Sequence, residues 1–257
     1  MAEEGKYIYC IIAADGKKNL GPLGIGGKNV HTVCYESLAA VVSDSPVMKY
    51  PITRENTLAH QRVMEEVMKH HTVLPVKFST IAESQGGVAV EERIRAQVLE
   101  RRYEEFEDLV GEMRDKVELG VKALWRKMDA IFAEIVSENS QVKALKNRIA
   151  AKPSTPTHGL RMKLGEMVKD ALETKREIEA NHILTVLKNV SVEVRKNKTF
   201  GDKMVANFAY LVETERVEEF DERLSRLSTE YEQRGTFKYV GPVPICNFVE
   251  LEITWDD

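Results

Sequence analysis

The 257 residues hold 37 lysines and arginines against 41 aspartates and glutamates, a formal net charge of -4 at pH 7. That balance argues against non-specific nucleic-acid binding, which needs a basic surface to neutralise phosphates. Apolar residues make up 43% and charged residues 30%, the composition of a soluble globular chain, and no apolar run approaches the ~20 residues that span a bilayer.

Residues 6–13, with the run Tyr7-Ile8-Tyr9-Cys10-Ile11-Ile12, predict a first strand closed by a turn at Ala13-Ala14-Asp15-Gly16. Gly21 to Lys28 reads as a glycine-rich connecting loop. Val30 to Tyr35 and Leu38 to Ser43 read as a hairpin pair of short strands about Glu36-Ser37. Thr53 is placed to N-cap a helix whose apolar positions Leu58, Val63, Met64 and Val67 keep helical spacing. Val73 to Phe78 predicts another strand, and Val88 to Val110 an amphipathic helix. The first half is thus read as strands with helices packed on one face of a sheet.

From Lys116 onward, Val117, Leu119, Val121, Ala123 and Trp125 alternate with Glu118, Gly120, Lys122 and Leu124, as in a half-buried strand. One helix is predicted through Met128 to Ile149, a proline loop at Lys152 to Thr157, and a long helix from His158 to Leu187. The two helices form an antiparallel hairpin. Strands at Val190 to Val194 and Met204 to Val212, a helix at Arg216 to Tyr231 and a strand at Phe237 to Ile253 complete the chain. The fold class expected is α+β in two domains. Residues 1–112 form an N-terminal sandwich of modified ferredoxin-like type. Residues 113–257 form a ferredoxin-like βαββαβ domain, its first helix expanded into a hairpin over about 126–187.

Motifs for chemistry are sparse. Gly21-Pro22-Leu23-Gly24-Ile25-Gly26-Gly27-Lys28 fails as a phosphate cradle, because Pro22 stands where the first glycine belongs and Asn29 where the magnesium-binding hydroxyl belongs. His70-His71 is a poor chelate, since neighbours on a helix point about 100° apart; the pair reads instead as closing a helix at its negative end. The acidic pairs lie among lysines and arginines on helices, the pattern of a solvated face. No nucleophile elbow is present. No catalytic residue, metal or cofactor is expected. Cys10, Cys34 and Cys246 form no CxxC pair and leave an odd count, which fits a reducing cytoplasm, and the polar, acidic start at Met1 to Lys6 predicts no secretory signal.

Two features are candidates for binding a partner. The hairpin tip gathers Lys143, Lys146, Arg148 and Lys152 on an acidic chain, either as a solvated tip or as a docking patch. Gly241-Pro242-Val243-Pro244-Ile245-Cys246-Asn247-Phe248 places two prolines, which cannot sit inside a central strand, between apolar runs. Pro242, Pro244 and Phe248 either shape and fill the core or present a preorganised apolar segment.

That last segment resembles the GPxPPYxF signature of the gas vesicle protein F/L family (GvpF/GvpL). Val73-Leu74-Pro75-Val76-Lys77-Phe78-Ser79-Thr80 is similar to the family's VLPxRFGT motif, and Asn207-Phe208-Ala209-Tyr210-Leu211-Val212 to its NxAYLV motif. Tyr7 to Ile12 looks like its opening strand and Val117 to Lys122 like its mid-chain strand, so the resemblance covers nearly the whole chain. Ser79 stands where the family has glycine, Lys77 where it has arginine, and Ile245-Cys246 replace Pro-Tyr. The resemblance implies a non-enzymatic accessory protein of gas vesicle assembly, vesicle-associated in the cytoplasm. Its implied partners are the hydrophobic shell protein GvpA, kept from aggregating before nucleation, and other accessory Gvp proteins. A minor structural component of the finished vesicle and an enzyme on a ferredoxin-like scaffold are the alternatives.

Overall fold

The computed structural model describes residues 4–14, 16–151 and 157–255. The chain is mixed helix and sheet with two sheets, the α+β class expected. It forms two compact units, Met1–Glu118 with Pro242–Asp257, and Leu119–Gly241. The return of the tail to the first unit differs from a single cut near residue 112.

The first unit contains β1 (Glu4–Ala13), β2 (Asn19–Gly21), β3 (Val30–Tyr35), β4 (Leu38–Pro46), α1 (Arg54–Met68), β5 (Val73–Pro75), β6 (Ile81–Glu83), α2 (Val90–Arg93) and α3 (Tyr103–Met113). Its sheet runs β2-β3-β4-β1-β5, with β6 also paired to β1. Every residue of β1 from Tyr7 to Ile12 is buried, so both faces of the sheet are covered rather than one; a continuous apolar run is the sequence mark of such a strand. On one face α1 sets Val63, Met64 and Val67 against Tyr7, Tyr9 and Ile12. The helix begins where expected, with Thr53 Oγ1 accepting from Asn56 N at 3.2 Å.

A bulge between Ile8 and Cys10 leaves Tyr9 without a partner on β4. Such a bulge re-aims its side chain, and the Tyr9 hydroxyl meets Ser43 Oγ at 2.9 Å and accepts from Ile25 N at 3.0 Å. The glycine-rich loop is therefore tied down through its buried Ile25, while Gly26 and Gly27 take φ of 68° and 71°, the region open to glycine. The helix expected over 88–110 is broken: a π-turn at Ile94–Glu100 follows α2, and Arg102 (φ -115°, ψ 26°) leaves helical geometry before α3. α1 ends at Met68 and does not reach the histidine pair. His71 instead binds the Ala13 carbonyl through Nδ1 at 2.9 Å and faces Lys18, and burial followed by Lys18 lowers its pKa.

The rest of the chain adds β7 (Lys116–Trp125), α4 (Met128–Glu138), α5 (Ser140–Ala150), α6 (His158–Lys188), β8 (Glu193–Lys196), β9 (Met204–Glu213), α7 (Val217–Glu230) and β10 (Gly235–Val243). The sheet order is β10-β7-β9-β8, with a βαββαβ chain order in which three helices replace the first. The helix expected through 128–149 divides at Asn139, whose backbone is extended and whose Oδ1 caps α5 by accepting from Gln141 N and Val142 N, each at 3.1 Å. An asparagine side chain that can satisfy the first amides of a new helix competes with continuing the old one. Below this break lies an ionic cluster. Arg234 grips Glu134 through two bonds at 2.8 and 2.9 Å and also reaches Glu179, which accepts from Trp125 Nε1 at 2.7 Å. Lys175 pairs with Glu134 at 3.1 Å and Glu138 at 3.0 Å.

Candidate docking groove

In the first unit, β5 pairs with β1 only as far as Pro75, after which the chain leaves the sheet. Val76 N still donates to the Tyr9 carbonyl at 3.1 Å, and Ser79 then turns with φ 68° so that Thr80 and β6 can rejoin β1. The expected strand through Phe78 therefore stops early, because residues 76–80 bow out between two pairings with the same neighbour. A serine in the left-handed region is strained, and its position is where the family motif carries glycine. Two hydrogen bonds hold it there: Ser79 N donates to the Tyr7 hydroxyl at 2.8 Å, and Ser79 Oγ accepts from Tyr50 N at 2.8 Å.

The C-terminal segment meets this bow. Pro242 lies within β10, an edge strand, where a missing N–H costs no ladder bond. Pro244 is buried and the strand has ended before it. Residues 244–249 form a tight turn in which Phe248 N and Val249 N donate to the Ile245 carbonyl at 2.9 and 3.0 Å. Beyond the turn, Leu251 N donates to the Pro75 carbonyl at 2.8 Å and its own carbonyl accepts from Lys77 N at 3.0 Å, a short parallel pairing. The single strand expected over 237–253 is thus β10, a turn and a bridge. Glu118 at the start of β7 fixes the turn, its carboxylate accepting from both Asn247 N and Asn247 Nδ2.

Between these parts is a groove of about 300 Å³. One face of α1 supplies Thr57, His60, Gln61 and Met64. The bow supplies Pro75, Val76 and Phe78, the tail Val243, Pro244, Cys246 and Glu250, and β7 contributes Glu118. The wall is largely apolar with no lysine or arginine among its residues. His60 is 7% exposed, and burial pulls its pKa down to about 4, so the ring is neutral. Glu118 is 5% exposed; burial pushes its carboxyl up, against the lowering effect of the two Asn247 hydrogen bonds.

Of the residues expected to bind a partner, Pro244 lines this groove, Pro242 is exposed on the edge strand, and Phe248 is half-buried outside the lining. Lys143, Lys146 and Arg148 are exposed on α5 in the second unit, and Lys152 lies outside the described residues. Glu118 was expected on the solvated side of its strand and is instead buried, because the turn at Asn247 covers it. The importance of His60 was missed as well; its place at i, i+3, i+4 with Val63 and Met64, on the apolar face of a helix, was the available signal. Among the described residues no three of His, Cys, Asp and Glu form a metal-holding group, and no helix is long and apolar enough to cross a membrane.

The two segments that meet at the groove are those carrying the motif resemblance, and comparisons with known proteins agree with it. The chain is 28% identical to gas vesicle protein F of Streptomyces sp. over 249 residues, covering 95% of this chain and 99% of that one. It superposes on the crystal structure of GvpF from Anabaena sp. with a TM-score of 0.81 at 18% identity, covering 97% of this chain and 99% of that one. On GvpF from Microcystis aeruginosa the TM-score is 0.76 at 20% identity, with 96% and 99% covered. At such identities the structures speak for the fold. A family model described as gas vesicle synthesis protein GvpL/GvpF matches residues 5–250, and on that match the chain belongs to the GvpL/GvpF family.

Proposed function

We propose that this protein is a non-enzymatic assembly factor that binds the gas vesicle shell protein GvpA in the cytoplasm and shields its apolar surface until it is incorporated, in concert with other accessory Gvp proteins. The observation that carries the reading is the groove, an apolar concavity built where two family motifs meet. A shell subunit that will face gas has apolar surface that self-associates in water. A soluble holder needs an apolar recess to cover part of that surface, and it needs no nucleotide to do so, in keeping with the failed phosphate-loop motif. The exposed cations Lys143, Lys146 and Arg148 on α5, with Lys152, and the segment of Pro242, Pro244 and Phe248 are proposed as further partner contacts.

Co-expression with tagged GvpA tests this. The expected result is more soluble shell protein and co-purification of the two chains. A shell protein that stays insoluble and binds nothing, while washed vesicles retain this chain at fixed ratio, would replace the reading with a structural part of the finished vesicle.

A further inference from the structure

The groove has a charge pattern as well as an apolar wall, and this pattern restricts what can occupy it. Its two carboxylates, Glu118 and Glu250, have no ion-pair partner among the described residues. Neighbouring Lys77 pairs directly with Glu252 at 2.5 Å and meets Glu250 only through a longer-range charge interaction. Glu118 is almost fully buried, yet among the described residues it is satisfied only by the two donors of Asn247. A carboxylate offers about four lone-pair sites, so acceptor capacity remains. A buried carboxylate without a counter-charge is costly, and an arriving cation relieves that cost.

A directed donor accompanies the two acceptors. The Tyr7 hydroxyl accepts from Ser79 N and so turns its own hydrogen toward His60 Nδ1 at 3.0 Å. That assigns the proton of the neutral imidazole to Nε2. Nε2 has no protein partner among the described residues, and His60 is part of the groove wall. Apolar wall, one N–H donor and two carboxylates without a direct ion pair together match a peptide segment rather than a lipid or an anion.

Resting on the docking role given above, we propose that the groove binds a partner segment in which a large apolar side chain stands beside a lysine or arginine. The apolar side chain seats against Met64, Val76 and Phe78. The cation is held by Glu118 and Glu250, and His60 Nε2 donates to a carbonyl of the segment's backbone. Specificity for such a segment comes from the cation, since an apolar wall alone discriminates little between apolar side chains.

The test uses the full chain and fluorescein-labelled ten-residue peptides carrying Leu-Arg, Leu-Gln, Leu-Glu or Ala-Arg at the centre, read by fluorescence anisotropy. Charge-assisted hydrogen bonds predict that Leu-Arg binds about tenfold more tightly than Leu-Gln, with Leu-Glu and Ala-Arg weaker still. Glu250→Gln changes an exposed residue and leaves the turn intact, and it reduces the Arg preference; Glu118→Gln with Glu250→Gln abolishes it, read as the ratio of Leu-Arg to Leu-Gln affinity, because loosening the turn at Asn247 weakens both peptides alike. Equal binding of the four peptides, no binding at all, or an Arg preference that persists in the double variant overturns the proposal. Co-purification of GvpA separates the two readings. If GvpA binds wild type and double variant alike, the ligand class is wrong and the assembly role stands. If Leu-Arg is preferred but GvpA does not bind wild type, the ligand class stands and the partner is another protein.

Discussion

Ser79 shows how one residue records a family's geometry. Its φ of 68° costs about 1–2 kcal/mol for a side chain with a Cβ, and its hydroxyl returns about 1 kcal/mol through the bond to Tyr50 N. Ser79→Ala keeps the strain and loses the bond, so urea denaturation should show a loss of about 1 kcal/mol. Ser79→Gly loses both and should stay within about 0.5 kcal/mol of wild type; equal losses in the two variants would refute the argument. The groove's titrating residues give a second test. His60 has a folded pKa lowered from 6.5 to about 4, so the unfolded chain binds its proton first and stability falls as pH drops across that interval. The loss attributable to His60 is on the order of 3 kcal/mol, and His60→Gln should flatten the pH dependence there. Glu118 works in the opposite sense. Its folded pKa lies above the ordinary carboxyl value of 4.5, so its protonation stabilises the fold as pH falls through the raised value toward 4.5. Wild type should therefore gain on Glu118→Gln over that range, and a constant difference between them would mean that Glu118 is not desolvated.

At the scale of elements, strands were easier to read than breaks. The continuous apolar run of β1 and the helical spacing of the α1 face are strong local signals, and both elements formed where expected. The division of one predicted helix into α4 and α5 was hidden because Asn139 sits amid helix-compatible neighbours, and only its cap bonds reveal the choice made. Asn139→Ala should cost about 1 kcal/mol, and Asn139→Asp should preserve the cap; if Asn139→Ala is neutral by thermal unfolding, the two helices merge without penalty. The ionic cluster beneath α4 and α6 makes a larger claim. Glu179 has a side chain only 10% exposed and depends on Arg234 for counter-charge. Arg234→Met should destabilise the chain by about 3–5 kcal/mol, the usual effect of leaving a buried charge unpaired, with partial recovery when Glu179→Gln is added. No recovery in the double variant would mean that Arg234 acts by packing alone.

For the whole molecule, the question is which surface meets the partner. Lys143, Lys146 and Arg148 are exposed on α5, and changing all three to glutamate should alter stability by no more than about 0.5 kcal/mol per site. The same variant should lose shell-protein co-purification if α5 is a docking patch; unchanged binding would leave these residues as a solvated face. Comparing it with the groove variants shows which of the two units carries recognition.

The sequence by itself determined the class of fold, the order of most elements and the family, because these rest on local signals: hydrophobic period, proline and glycine placement, and motifs a few residues long. The tertiary structure alone decided the groove. Pro75 and Leu251 are far apart in the chain and adjacent through backbone hydrogen bonds. Glu118 reads as a surface position in its own strand and becomes buried only when a turn begun more than a hundred residues later closes over it. Burial and the shifts it imposes on Glu118 and His60 belong to contacts between distant segments, which no window along the chain contains.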